Sequence, residues 1–332
     1  MRARALAAAV APALALAGAF AGACKREQAH RAKAVAAQVS PQAWAEVEAA
    51  GAPALAPGPA DDLVRALDLI DQDKPDLRDV GRDPAHDDQL AEQLPPSAVD
   101  AVAALVRWDQ VHGRLPPGRA CVGSGGPLHA LHLARAALLV AGGDADAPSV
   151  RAAISLAARY RAEGISLLEA MTGGGIADEV RHWSAARSLP ASASARLYQP
   201  TDDDLVRVAA AEALCTLDLF QRLRRPEGRD DAESLARMFH ATTEAERAQV
   251  IAAQEDEVRG YWLAVLADLR GRAADPAGTD RRLADRDDEL HRHPEQHPVL
   301  AVMVPMTRVL GQLRASDAVW RAFLSGQPAA EP

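Results

Sequence analysis

The sequence predicts an all-α protein, built as a helical bundle or an irregular array of antiparallel helical hairpins. Three observations point there. From residue 61 onward Ala, Leu, Arg and Glu dominate, the residues that lose least on entering a helix. No stretch alternates apolar with polar residues over strand length, and runs of β-branched residues are absent. Gly/Pro-rich interruptions cut the remainder into pieces of helix length. With only twelve aromatic residues in 332, close helix packing through alanine has to supply much of the core.

The N-terminal segment comes first and differs from everything after it. Arg2 and Arg4 precede an apolar run from Ala5 to Phe20, small residues follow, and charge begins directly after Cys24. This is the layout of a signal peptide. Ala19-Phe20-Ala21 and Ala21-Gly22-Ala23 both fit ordinary secretory cleavage. The uncharged run of twenty residues from Ala5 to Cys24 could also just cross a bilayer core of roughly 30 Å. Ala21-Gly22-Ala23-Cys24, in contrast, resembles the lipobox of bacterial lipoproteins, with Ala21 where leucine is usual. The resemblance covers the first two dozen residues only. It implies cleavage before Cys24, a diacylglyceryl thioether and an N-acyl chain on that cysteine, and anchoring of the mature protein to a membrane. Two or more acyl chains make such anchoring durable. In the same family an aspartate after the cysteine favours the inner membrane. Lys25 stands there, which implies an outer-membrane lipoprotein facing the periplasm.

The expected organisation is therefore a signal peptide at 1–23, a lipidated N-terminus and Pro/Ala-rich tether at 24–60, and a single helical domain at 61–332. Within the tether, "SPQAWAEVEAA" predicts one short helix around Trp44, with Ser40 as its cap and Pro41 at the first helical position. "GAPALAPGPA" at 51–60 reads as semi-extended. Beyond it, helices are expected over 61–71, 97–112, 127–141, 148–163, 165–187, 202–224, 243–270, 278–291 and 298–324. The breaks coincide with "LPPS" at 94–97, "GRLPPGRACVGSGGP" at 113–127 and "AGGDADAP" at 141–148. In the segment 243–269, Ala248, Ile251, Val258, Trp262, Val265 and Leu269 share one stripe, with Glu255 on it. In the last helix Val302, Met306, Leu310, Leu313, Trp320 and Leu324 line up, with Asp317 among them. These are stripes of packed helices, not of single-sided membrane binders.

Charge narrows the classes of partner. The formal net charge is −9, falling to −11 once residues 1–23 are removed. Arginines are interleaved with acids rather than gathered into a stripe, so no nucleic-acid partner is expected. The expected partners are the membrane, through the lipid anchor, and a protein of the envelope. Cysteine is sparse: after Cys24 only Cys121 and Cys215 remain. Whether these two pair in an oxidising compartment is left open by the sequence.

Chemistry-bearing motifs are few. "GSGG" at 123–126 and "TGGG" at 172–175 lack the Lys-Ser/Thr that completes a phosphate loop and follow no strand. Neither offers the strand–turn–helix setting of a nucleophile elbow. No cofactor is expected. Glu179 and His182 form a Glu-x-x-His pair on one helix face, the spacing used twice in di-iron bundles. A second such pair is missing, and Glu212 and Glu255 are only further carboxylates. His129 and His132 share a face with Arg135 and read as polar lining. The densest cluster is "DDELHRHPEQHP" at 287–298, where His291, His293 and His297 supply three imidazoles of the kind that bind zinc or copper. The leading expectation is a lipid-anchored binding or scaffolding protein without a catalytic role. The alternative is a metal-binding protein or metal-dependent enzyme using His291, His293 and His297.

Overall fold

Proline opens one helix after another in this chain. The computed structural model describes residues 40–52, 58–73, 75–116, 126–294, 297–301 and 306–326, and among them every regular element is helical and none is a strand. The all-α expectation holds. In chain order the helices are α1 (Pro41–Gly51), α2 (Asp61–Asp73), α3 (Pro84–Glu92), α4 (Pro96–Gln110), α5 (Gly126–Val140), α6 (Pro148–Glu163), α7 (Leu167–Ala186), α8 (Asp202–Leu223), α9 (Arg229–Met238), α10 (Glu244–Gly271), α11 (Pro276–Arg292), α12 (Pro298–Ala301) and α13 (Met306–Leu324). Short 3₁₀ turns lie at Ala193–Leu197 and Pro226–Gly228. α1, α3, α4, α6 and α11 carry proline in their first turn, where its missing N–H costs nothing and its fixed φ suits the helix.

Side-chain caps complete these starts. Ser40 Oγ accepts from Ala43 N at 3.0 Å, as its sequence position predicts. Asp83 does the same for α3 and Asp275 for α11. Thr243 and Glu246 form a reciprocal capping box at α10. Three hydrogen bonds to the Glu246 carboxylate, the largest effects coming from the backbone of Thr242 and Thr243, hold it down at about 2.

Two helices were not expected from the sequence, α3 and α9. α3 buries a single residue, and that residue is Asp87. α9 buries only Ala232 and Ala236. α3 lacks the apolar periodicity that marks a helix in sequence, whereas in α9 Ala232, Leu235 and Ala236 keep helical spacing but offer little apolar bulk. The expected helix 298–324 corresponds to α12 and α13, with 302–305 outside the described residues.

The contacts divide the chain into two compact units where the sequence had grouped residues 61–332 as one domain. Unit one takes the described residues within 1–52 and 205–310; unit two takes those within 53–204 and 311–332. In unit one, α10 is the long central element, and α1, α9, α11 and α12 pack on it. Trp44 and Val47 of α1 are buried, Arg259 lies over the Trp44 ring at 4.6 Å, and Gly51 meets the backbone of Ala210. Residues 41–51 are thus part of a packed unit, not of a spacer. The buried stripe of α10 runs through Ile251, Gln254, Val258, Trp262, Val265 and Leu269, whereas Ala248 is exposed.

In unit two, α2 packs on α4, α6 on α7, and α5 on both α6 and α7. Alanine supplies close approach throughout: Ala98, Ala101, Ala104, Ala130, Ala134 and Ala153 have no exposed surface. α7 packs on α6 and α5, and its glycine triplet shows how closely. A methyl group at Gly173 would stand 2.7 Å from Ala157 O and 3.0 Å from Arg161 N, both backbone atoms of α6. Gly174 faces Ser316, Leu313 and Tyr198, while Gly175 faces Leu131 of α5. "TGGG" is a packing device with a different neighbour at each glycine.

Candidate functional site

The histidine cluster lies at the α10–α11 pair of unit one. Tyr261 OH donates to Asp287 Oδ1 at 3.3 Å, and Arg282 and Arg286 both reach Asp268, so the two helices run antiparallel. Glu257 lies one turn before Tyr261 on α10. His297, just before α12, donates through Nδ1 to that same Glu257. Gln254, itself buried, donates to the other Glu257 oxygen at 3.0 Å. His291 Nδ1 is bound to the carbonyl of Asp287 at 2.6 Å. A carbonyl and a carboxylate can only accept, so each ring carries its proton on Nδ1 and, when neutral, keeps its lone pair on Nε2. This is how imidazoles are oriented ahead of ligation or proton transfer. His293 caps α11 through its backbone N–H, which donates to Glu289 O. Among the described residues no group of three His, Cys, Asp or Glu side chains is placed to hold a metal ion. The fold holds His297 against the Glu257 carboxylate and His291 against the backbone carbonyl of Asp287, and the His293 backbone N–H caps α11. Burial pushes the Tyr261 phenol upward, with the charge of Asp287 adding to it.

Unit two brings together residues that the sequence treated separately. Arg135 of α5 donates through Nε and Nη2 to Glu179 of α7, at 3.1 and 2.5 Å. The Leu131–Gly175 and Arg135–Glu179 contacts share one offset, so α5 and α7 lie side by side in parallel. His129 pairs with Asp71 of α2 at 3.0 Å. His132 is held below the ordinary imidazole range by burial first, then by the positive charges of Arg135 and His129. His182 is exposed and contacts its neighbour Arg181. Glu179 is therefore a partner of Arg135 rather than half of a Glu-x-x-His ligand pair. Glu212 and Glu255 belong to unit one. Burial alone would raise Glu255, but hydrogen bonds from Arg259 and Arg224 outweigh it and leave the carboxyl lowered.

A second ionic centre in unit two was half visible in the sequence, as Asp317 inside an apolar stripe. Arg161 Nη2 donates to Asp317 Oδ2 at 2.6 Å, and both side chains are almost fully buried. Tyr198 OH approaches Asp317 Oδ1 at 3.4 Å, and Trp320 Nε1 donates to Tyr198 O at 2.8 Å. Burial pushes the Asp317 carboxyl up to about 6, ahead of the opposing pull of Arg161. Two other charged side chains missed by sequence reasoning are buried for structural ends. Asp87 accepts from Gly81 N and pairs with Arg187, and Glu163 accepts from Leu115 N at 3.0 Å. No apolar period marks such residues, so no sequence signal could have found them.

A shallow depression of about 420 Å³ runs beside α2, lined by Asp61, Val64, Arg65, Asp68, Leu69 and Gln72. Its polar groups follow one helix face and do not converge. Among the described residues no helix is long and apolar enough to cross a membrane. Cys24 and Cys121 lie outside the described residues. Cys215, on α8, is disulfide-bonded, which leaves Cys24 and Cys121 as the two cysteines in the sequence able to pair with it. No protein-family model, curated protein or solved structure matches the chain.

Proposed function

We propose that this is a lipid-anchored protein of the bacterial cell envelope, held by acyl chains on Cys24, whose helical units bind or scaffold an envelope protein. The observation that carries the reading is a single cysteine at the end of an apolar run, preceded by Ala21-Gly22-Ala23 and followed at once by charge. Lys25 in place of aspartate supports the outer membrane and a periplasmic orientation. Sixteen residues separate Cys24 from Pro41, where α1 begins. At full extension they reach about 55 Å, enough to clear the lipid headgroups. Metabolic labelling with a palmitate analogue in a Gram-negative host tests the reading. Wild type is expected to be labelled and Cys24→Ser to remain unlabelled; equal labelling of the two, or none in wild type, refutes it.

Metal binding is the second reading, and one observation favours it. His291 and His297 both have Nδ1 committed to an oxygen acceptor, the orientation that ligating imidazoles adopt.

A further inference from the structure

α1 packs in unit one on helices that are remote from it in sequence. Residues 53–204, which belong to unit two, intervene between α1 and the α8 and α10 surfaces that receive it. A helix of eleven residues is marginal in water on its own. α1 also has no acid in its first turn and no base in its last to complement its dipole. What keeps it helical is therefore its seat.

That seat holds α1 as a groove holds a helical ligand. The buried residues of α1 are Trp44, Val47 and Gly51, spaced i, i+3 and i+7 as in amphipathic helices that bind in grooves. Arg259 of α10 lies over the Trp44 ring and is itself held by Glu255 at 2.7 Å, and Glu255 also pairs with Arg224, just after α8. A methyl group at Gly51 would stand 2.8 Å from the carbonyl of Ala210, so α8 selects glycine there. At the rim Arg270 pairs with Glu46 at 3.4 Å.

The connection to unit two is short. Gly58 lies against His112 O, and Pro59 O accepts from Arg114 N at 3.2 Å, so this end is fixed on unit two. The five residues 53–57 link it to the end of α1, with Pro53 and Pro57 at their limits. Short, stiff hinges favour exchange of the element they carry over its return to the same chain. We propose that the α8–α10 seat takes α1 from a second copy of this chain, so that two copies exchange α1 and are joined by it. Exchange remakes every contact described above, which leaves the hinge and the entropy of association to set the balance. Confinement to one membrane surface lowers that entropic cost. The inference deepens the scaffolding reading and rests on it for this confinement alone.

Cross-linking between two full chains tests the exchange, with Cys24→Ser in both so that no anchor contributes. One chain carries Glu46→Cys and the other Arg270→Cys, exposed positions whose side chains meet across the seat. The two are incubated together at high concentration in mild urea, returned to buffer and treated with a bifunctional thiol reagent. A covalent heterodimer is expected, because α1 of one copy then lies on α10 of the other. Adding Trp44→Ala to the Glu46→Cys chain removes the largest anchor and is expected to lower the yield at least about tenfold. Gly51→Ala in the same chain obstructs seating without emptying the core, and is expected to lower it as well. Absence of the heterodimer, or a yield unchanged by either substitution, overturns the proposal. Because both chains lack Cys24, neither result depends on what palmitate labelling shows.

Discussion

Alanine substitution at each of the three consecutive glycines of α7 separates helix propensity from packing within a single turn. Replacing a helix-interior glycine by alanine stabilises by about 1 kcal/mol when nothing opposes the new methyl group. At Gly174 the nearest atoms to that methyl would be Ser316 Oγ at 3.6 Å, Leu313 Cδ2 at 3.7 Å and Tyr198 OH at 3.8 Å, all ordinary contacts. At Gly175 only Leu131 Cδ1 comes near, at 3.8 Å. Both substitutions are expected to stabilise unit two by roughly 0.5–1 kcal/mol. Gly173 differs in kind. Its methyl would meet Ala157 O at 2.7 Å and Arg161 N at 3.0 Å, and helix backbone cannot rotate aside as a side chain can. Overpacking of this sort costs about 1–3 kcal/mol, which cancels or exceeds the propensity gain. The displaced turn also carries Arg161, so the ion pair to Asp317 would be strained along with it. The expected net effect is a loss of roughly 1–2 kcal/mol, or about 3–6 °C in a unit of this size. Urea and thermal unfolding followed by circular dichroism measure all three variants. If Gly173→Ala stabilises as much as the other two, α6 and α7 do not meet backbone to backbone at this glycine.

Two further outcomes follow from features of unit one. Any specific zinc binding by the purified chain, measured by calorimetric titration, is expected to be lost when His291, His293 and His297 are replaced by alanine; tight binding that survives would place the site elsewhere. Peptide mapping under non-reducing conditions is expected to yield no Cys24–Cys215 peptide, because a lipidated Cys24 has no thiol to give. A Cys24–Cys215 peptide would refute lipidation and the envelope anchor together.

What could be read from the sequence was whatever is local. Ser40 and Pro41 mark the start of α1 within three residues of the bond they make, and the recurrent proline starts needed no knowledge of tertiary structure. Glycine and proline clusters placed most helix boundaries for the same reason. α3 and α9 escaped because they are held by charge and alanine, and the single buried side chain of α3 is an aspartate. Charges inside the apolar stripes, Glu255 and Asp317, were visible as anomalies. Their partners were not: Arg161 lies 156 residues from Asp317, and Arg224 lies 31 from Glu255. The histidine cluster was found by density alone. Sequence could not foresee that the His297 ring would be held by Glu257, 40 residues before it. The tether was drawn too long because composition does not reveal that Trp44 and Val47 have a surface waiting for them.

The order in which the chain supplies unit two bears on its synthesis. Residues 53–204 leave the ribosome first, yet Trp320 and the counter-ion of Arg161 belong to 311–332. Until the last of these has been made, the nascent unit carries a hole the size of an indole and a buried guanidinium facing no carboxylate at Asp317's position. An unpaired buried charge of this kind costs several kcal/mol. The early product is thus poorly closed while roughly a hundred residues of unit one are still being added. Such a chain passes through a long interval in which its first-made helices are exposed to unwanted association. A protein exported before it folds would avoid that interval, since all of its parts would reach the folding compartment unfolded and within reach of one another.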